Sequence, residues 1–259
     1  MAFLTALTIL TAIPVPRWLD KSKTAPLSGG ADVFARSVPY FPLVGLILGL
    51  ILVGLDFLLR LAFPPLVVSA LLVVAMLLLT GGLHLEGFID SCDGLLTAKS
   101  PEERLAIMKD SRSGAFGVAG AGALLLLRFA ALASLVGEAR WLALLLAPVL
   151  SRWAMAYAMA AFPYGRSSSG LGKIFKDYLK PKQIVYATII ALAIAGAVWQ
   201  LNGLATWGVA CLVSWFVARF TLSRIPGLTG DVYGAINEVT EVAILLVVPI
   251  LMALSSGSA

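Results

Sequence analysis

The sequence predicts an all-α, polytopic integral membrane protein, a helical bundle with about seven transmembrane helices. The first observation is composition: of 259 residues, 60% are apolar and 13% are charged, and the mean hydropathy is +0.96. A soluble core of this size cannot bury so much apolar surface. The second is run length, because a helix needs about 20 apolar residues to cross the roughly 30 Å hydrocarbon layer. Seven runs approach that length, namely Val38–Arg60, Leu66–Gly82, Phe116–Val136, Trp141–Phe162, Gln183–Leu201, Ala205–Leu222 and Val242–Leu254.

The first stretch, Met1–Pro16, differs from the seven runs. It is apolar but short, it has no basic start, and it carries Pro14 and Pro16 at its end. These features fit neither a cleaved signal peptide nor a full span. We therefore expect a short N-terminal re-entrant or interfacial segment, and a single integral membrane catalytic domain over residues 1–259.

The basic residues are distributed unevenly over the connections between the predicted spans. Fifteen of the 19 Lys and Arg residues fall in the four longer connections, residues 17–37, 84–115, 163–182 and 223–241, or at the helix end beside them, Arg219. The positive-inside rule assigns that face to the cytoplasm. The net charge of +5 is then a topological signal that also suits an anionic lipid surface. Basic runs interleaved with aromatic residues are missing, so nucleic acid is not expected as a partner.

Acidic residues gather on the same face, most densely in the run Gly81–Gly94. Glu86, Asp90 and Asp93 are spaced i, i+4, i+7 there, which places three carboxylates on one stripe of a helix. Like charges in this arrangement repel one another unless a cation neutralises them. Mg²⁺ prefers oxygen ligands and commonly bridges one or two carboxylates to a substrate phosphate. We therefore predict Mg²⁺ as the cofactor and these three residues as metal ligands.

A second acidic stripe lies at the start of the last predicted span. Asp231, Glu238 and Glu241 are spaced i, i+7, i+10. If the two stripes face each other, they form a cradle for two metal ions and phosphoryl transfer, with Asp231 as a further metal ligand. Asp231, Glu238 and Glu241 are also the catalytic candidates, one of them as general base. The alternative is that these are ordinary solvated acids at a helix end, where the helix dipole favours them.

Basic residues near the stripes are candidates for binding phosphate. Lys109, which is also a catalytic candidate, and Arg112 stand three apart in a glycine-containing run leading into a helix, where backbone N–H groups hold anions. Arg166 opens a similar run, Arg166–Lys173. Arg152 lies inside a predicted span, where an arginine usually faces a polar cavity or a partner, and we expect it to reach the site. Basic side chains that merely extend along the membrane surface are the alternative.

The single histidine, His84, excludes a His-rich zinc site. Its place inside the acidic run makes it a substrate-binding candidate, and a histidine whose ring is simply hydrogen-bonded at a helix end is the alternative. Cys92 is interpreted as small apolar filler, because soft sulfur suits a hard ion poorly.

Four runs in the same order resemble the cobalamin (5'-phosphate) synthase family, also called adenosylcobinamide-GDP ribazoletransferases. They are Phe3–Pro16, Gly82–Gly94, Met108–Gly117 and Thr229–Glu241. The resemblance spans nearly the whole chain, and four ordered motifs are specific where one alone is weak. One position departs from the pattern, since Glu86 stands where the family commonly has Asp.

The resemblance implies a Mg²⁺-dependent transferase of the bacterial inner membrane, multi-pass, with its site on the cytoplasmic face. Its substrates would be adenosylcobinamide-GDP and α-ribazole or α-ribazole 5'-phosphate, joined with release of GMP in the last step of nucleotide-loop assembly in vitamin B12 biosynthesis. A ribazole hydroxyl would attack the corrinoid-bound phosphorus while the metal and arginines neutralise charge on the phosphates. The lipid bilayer is a further partner; a homo-oligomer or an assembly with other cobalamin-assembly enzymes is left open.

Two rival functions compete with this one. A CDP-alcohol phosphotransferase also carries membrane-embedded acidic clusters beginning Asp-Gly, and Asp93–Lys99 comes close, but its spacing is off by one and no Gly-x-x-x-Asp-x-x-x-Asp follows. A cation transporter also has carboxylates near membrane helices. Transport favours charges near the bilayer midplane, however, and these acids gather at one end of the predicted bundle.

Overall fold

A computed structural model of the protein describes residues 2–14, 27–166 and 171–256, and every regular element in those ranges is helical. The helices are α1 (Ala2–Leu10), α2 (Leu27–Ser37), α3 (Phe41–Leu59), α4 (Pro65–Thr80), α5 (Leu83–Leu95), α6 (Pro101–Ile107), α7 (Ala115–Ser134), α8 (Gly137–Ala161), α9 (Leu171–Tyr178), α10 (Pro181–Leu222) and α11 (Gly230–Ser256), with a short 3-10 helix at Val38–Tyr40. The predicted all-α fold is confirmed.

Within the described ranges, five helices are long and apolar enough to cross a membrane, and a bent pair of helices makes a sixth candidate if it counts as one span. The predicted number is higher because it divides residues 181–222 into two spans. α10 does leave helical geometry near the end of the first of those spans, at Trp199 and at Gln200, whose φ is +46°. Beyond the break, a Cβ on Gly203 would clash with the carbonyl oxygen of Ala195, so the chain turns back on itself. The two arms of α10 therefore correspond to the two predicted spans.

α8 forms the centre of the bundle. In its most apolar window 89% of the residues are buried, against 17% to 39% in the other candidate spans. α3 approaches α8 closely, because a Cβ on Gly45 would clash with the carbonyl oxygen of Pro148 and one on Gly49 would lie 2.9 Å from Leu145 Cα. Small residues four apart allow this close backbone approach, which is common between membrane helices.

The connection between α4 and α5 orients the first acidic stripe. Gly81 and Gly82 have φ values of +62° and +73°, a conformation that glycine adopts without steric cost. The two helices meet there at an angle of 92°. α5 then crosses the start of α11, where a Cβ on Gly87 would lie 2.8 Å from the carbonyl oxygen of Asp231. The two helices that carry the acidic stripes are therefore in direct contact.

The N-terminal segment begins with α1, a helix of nine residues. At about 1.5 Å per residue such a helix is too short to cross a membrane. The chain after α1 lies against α4, since the N–H of Ala12 donates a 2.8 Å hydrogen bond to the carbonyl oxygen of Leu79. A short N-terminal segment agrees with the prediction, although its last residues, 15 and 16, lie outside the described residues.

Candidate active site

Three predicted carboxylates, Glu86 and Asp90 of α5 and Asp231 of α11, line one cavity of about 300 Å³. Glu86 is exposed and Asp90 is half-buried, and neither carboxylate has a hydrogen bond or ion pair among the described residues. Asp231 is more constrained: its Oδ2 accepts hydrogen bonds of 2.7 Å from Arg166 and 3.1 Å from the hydroxyl of Thr229. The cavity therefore has an acidic end in which two carboxylates have no partner in the described part of the chain.

Arg166 joins three segments of the site. The nitrogen that binds Asp231 also donates a 3.1 Å hydrogen bond to the carbonyl oxygen of Met108, in the loop before α7. The segment preceding Arg166 is held by two backbone hydrogen bonds of 2.8 Å, from Gly165 N–H to Leu228 and from Leu228 N–H to Pro163. Of the predicted run Arg166–Lys173, residues 167–170 lie outside the described residues.

A second cleft, of about 380 Å³, is also lined by Glu86 and Asp90. Its opposite wall is polar and is formed by the segment after α6, including Lys109, Ser111 and Ser113. Glu86 and Asp90 line both cavities, and no other residue does so in the described ranges. These two carboxylates therefore mark the boundary between the cavities.

Arg112 is not among the residues that line this cleft. Its side chain is 87% exposed and lies against Asp110, with nitrogen to oxygen distances of 2.7 and 3.0 Å. The guanidinium of Arg112 holds the pKa of Asp110 at about 2. A phosphate would therefore have to compete with Asp110 for this arginine.

Asp93 is also on α5 but lines neither of the two cavities, and its carboxylate lies against the start of α7. Its two oxygens accept hydrogen bonds of 2.7 Å from the backbone N–H groups of Gly114 and Gly117. The N-cap residue before α7 is Gly114, which has no side chain to cap the helix, so the Asp93 carboxylate satisfies these N–H groups instead. Its negative charge also complements the helix dipole. The structure therefore gives Asp93 a capping function, and its ligation of a metal stays a prediction.

Glu238 and Glu241 form a buried ion network with two arginines. Arg128 of α7 lies 2.7 Å from Glu238 and 3.0 Å from Glu241, and Arg152 of α8 pairs with the other oxygen of Glu241. Two positive and two negative charges balance inside the bundle, which is the arrangement that buried charges require. Arg152 and Arg128 therefore have carboxylate partners in the described residues, and the roles of Arg152, Glu238 and Glu241 in the reaction stay predictions.

His84 is buried and lines the 300 Å³ cavity. Its Nε2 has no hydrogen-bond partner in the described part of the chain. This atom therefore does not fit the alternative, in which the histidine ring is simply hydrogen-bonded at a helix end. Tyr233 is a second buried residue of the cavity whose hydroxyl is without a partner there. The sequence gives no signal for Tyr233, because nothing in its spacing shows which side chains enclose the cavity.

A bound metal would need ligands at the acidic end of the cavity. No three His, Cys, Asp or Glu side chains in the described ranges are grouped closely enough to hold an ion by themselves. Mg²⁺ commonly takes one or two carboxylates and completes its shell with waters and substrate phosphates. The unpartnered carboxylates of Glu86 and Asp90, facing a polar cleft, fit that smaller requirement.

Comparison with known proteins assigns the chain to a family. The family model CobS, cobalamin-5-phosphate synthase, matches residues 2–249. The chain belongs to this family. A relative from Desulfitobacterium hafniense (strain Y51) is 40% identical over 246 residues, which cover 93% of both chains. One from Brevibacillus brevis is 37% identical over 249 residues, which cover 95% of this chain and 96% of the relative.

Both relatives are named adenosylcobinamide-GDP ribazoletransferase, as is a third from Roseiflexus sp. (strain RS-1), 38% identical over 240 residues that cover 93% of this chain and 86% of that relative. No solved structure matches the chain. The resemblance read from four sequence runs is thereby confirmed. Family membership also favours a transferase over the two rival functions, a CDP-alcohol phosphotransferase and a cation transporter.

Proposed function

We propose that this protein joins adenosylcobinamide-GDP to α-ribazole or its 5'-phosphate, with release of GMP, as an adenosylcobinamide-GDP ribazoletransferase. Membership of the cobalamin-5-phosphate synthase family supports the reaction. The observation that supports a location for the reacting centre is that Glu86 and Asp90 lie on the boundary between two cavities. A transfer between two substrates needs a reacting centre that both can reach, and this boundary is such a place.

The reaction forms one phosphorus–oxygen bond and breaks another. The attacking oxygen is a hydroxyl of the ribazole, the phosphorus is the one attached to the corrinoid, and the oxygen that leaves is part of GMP. The hydroxyl proton must pass to a base. We assign this role to Asp231, whose Oδ2 is held by Arg166 and Thr229 while its Oδ1 has no hydrogen bond in the described residues.

Mg²⁺, where bound, would supply neutralisation of the phosphate charge. Glu86 and Asp90 would hold it, because their carboxylates have no partners among the described residues and line the polar cleft. Lys109 lines the same cleft and would bind the phosphates as a second source of positive charge. Arg166 keeps the Asp231 carboxylate in place rather than contacting the reacting atoms.

We also propose that the site opens to the cytoplasm of a bacterial cell. The relatives are bacterial proteins, and the long apolar helices support a multi-pass membrane protein. The connections that build the site, residues 84–115, 163–182 and 223–241, belong to the set that holds most of the basic residues. The positive-inside rule supports the cytoplasmic face for these connections.

Turnover of the purified, detergent-solubilised protein tests the proposal. Adenosylcobinamide-GDP and α-ribazole are supplied with and without Mg²⁺, and GMP and the cobalamin product are separated and quantified. We expect GMP and cobalamin in equal amounts, and only when Mg²⁺ is present. A folded protein that releases no GMP would contradict the proposal, and CDP-activated lipid substrates would then be tried.

A further inference from the structure

The cavity that contains Asp231 has two chemically different ends. Its acidic end consists of Glu86, Asp90 and Asp231. The remaining walls are largely apolar and come from six helices, α1, α3, α5, α8, α9 and α11. They include Phe41, the first residue of α3, Met155 and Met159 of α8, and Phe175 of α9. An occupant of this cavity should therefore have an apolar part and, next to it, a polar part that approaches the carboxylates.

Size and polarity decide which part of the substrates fits. The cavity volume of about 300 Å³ lies at the lower end of the range for small-molecule sites, which excludes the corrin ring. A guanine base carries hydrogen-bonding groups along most of its edge, and burial against apolar walls would leave them unpaired. The benzimidazole base of α-ribazole is a planar, mostly apolar group attached to a hydroxyl-bearing ribose. Only this part of the two substrates has the polarity that the cavity requires.

We propose that this cavity is the binding site for the α-ribazole nucleoside, with its aromatic base between Phe41, Met155, Met159 and Phe175. The ribose hydroxyls then face Asp90 and Asp231. The pyrophosphate of the other substrate occupies the second cleft, beside Lys109 and Ser111. The proposal rests on the proposed function, and it adds which substrate enters which cavity. The two substrates meet at Glu86 and Asp90, the residues that the cavities share.

Tyr233 provides a polar contact for the buried base. Its hydroxyl is buried without a hydrogen-bond partner in the described residues, although the residue lines the cavity. Such a group is costly to bury alone and gains a partner when the ligand supplies one. The base has an unsubstituted ring nitrogen that accepts a hydrogen bond, and the Tyr233 O–H is a suitable donor. Tyr233 is therefore a specificity-determining residue for the nucleoside.

Cavity-filling and cavity-enlarging variants test the proposal in steady-state kinetics. Met159→Trp fills the space assigned to the base, and Tyr233→Phe removes the donor. We expect each to raise the KM for α-ribazole about tenfold or more, because one lost contact of about 1.4 kcal/mol is worth that factor. The KM for adenosylcobinamide-GDP should stay within about twofold of wild type. The matched control is Met252→Trp. It makes the same change of methionine to tryptophan near the C-terminal end of α11, at a residue that does not line the cavity.

A gain of function separates loss of binding from loss of folding. Met159→Ala enlarges the cavity, and we expect it to accept a ribonucleoside with a naphthimidazole base, one ring larger, about tenfold better than wild type relative to α-ribazole. Unchanged KM values for α-ribazole in Met159→Trp and Tyr233→Phe, with no gain in Met159→Ala, would overturn the cavity assignment. GMP release by the wild type in the same assay would show that the proposed function survives this outcome. An absence of GMP release by the wild type would instead contradict the proposed function itself.

Discussion

Arg166 donates a 2.7 Å hydrogen bond to Asp231, and these two residues belong to segments that are distant in sequence but adjacent at the mouth of the site. The same guanidinium nitrogen reaches the carbonyl oxygen of Met108, 3.1 Å away. One side chain thus fixes the carboxylate proposed as base relative to the loop that borders the polar cleft. The planar guanidinium suits this double contact, which the single ammonium group of lysine does not reproduce.

Replacement of Arg166 by lysine should therefore lower activity although the charge is kept. Arg166→Lys, Asp231→Asn and the double variant form a cycle in which we expect a coupling of about 1–3 kcal/mol in kcat/KM, since the two residues act through one contact. The measurement is GMP release at saturating Mg²⁺. Effects that simply add in the double variant would show that Arg166 does not act through Asp231.

Asp93 should contribute chiefly to folding. Asp93→Ala removes both hydrogen bonds at the start of α7, and we expect it to lower the free energy of unfolding by about 2–3 kcal/mol in Mg²⁺-free buffer. Unfolding in mixed micelles measures the loss, with Glu102→Ala, an exposed acid on α6, as control. Unchanged stability together with an altered Mg²⁺ requirement would favour the metal-ligand role predicted from the sequence.

The Mg²⁺ requirement should depend on the two unpartnered carboxylates of α5. In Asp90→Asn and Glu86→Gln we expect the Mg²⁺ concentration for half-maximal GMP release to rise at least about tenfold, because a metal-binding oxygen is replaced or weakened. Glu102→Gln, an exposed acid on α6, serves as the control. An unchanged Mg²⁺ dependence in both site variants would place the metal elsewhere.

The buried ion network should behave as a unit. Arg128→Met leaves Glu238 buried without its arginine, which should cost about 3–5 kcal/mol of unfolding free energy. In the double variant Arg128→Met, Glu238→Met an apolar pair replaces a charged pair, and most of that loss should be recovered. Arg112→Met, which removes an exposed ion pair, should change stability by less than about 1 kcal/mol. A double variant that is less stable than Arg128→Met alone would contradict this interpretation.

Hydropathy was sufficient to predict the membrane bundle because the apolar runs are long and almost uncharged. The two arms of α10 illustrate this: the predicted boundary falls beside Gln200, where the backbone does leave the helix. The helical spacing of Glu86 and Asp90 also placed both on one face of α5, and they line the same cavities. These features depend on local sequence, so they can be read without a structure.

The division of the acidic residues among different tasks could not be read from their spacing. Asp93 caps a helix whose N-cap residue, Gly114, lies 21 residues later, and Glu241 pairs with an arginine of another helix. Both outcomes depend on how α7 and α8 pack against α5 and α11. Gly114, the N-cap residue of α7, was a partial signal of this capping contact. A helix without its own capping side chain must find a hydrogen-bond acceptor elsewhere.

The relative activities of Asp90→Asn and Glu238→Gln test most directly whether the acidic end of the cavity is the reacting centre. The measurement is the rate of GMP release per folded molecule, with the folded fraction determined in the same samples. We expect Asp90→Asn to remain folded and to lose activity at least about 100-fold, as expected when a residue proposed to hold the charge-neutralising Mg²⁺ is replaced. Glu238→Gln should lose stability while its folded molecules stay active. Full activity in Asp90→Asn, with none in folded Glu238→Gln, would contradict this placement and move the reacting centre to the buried network.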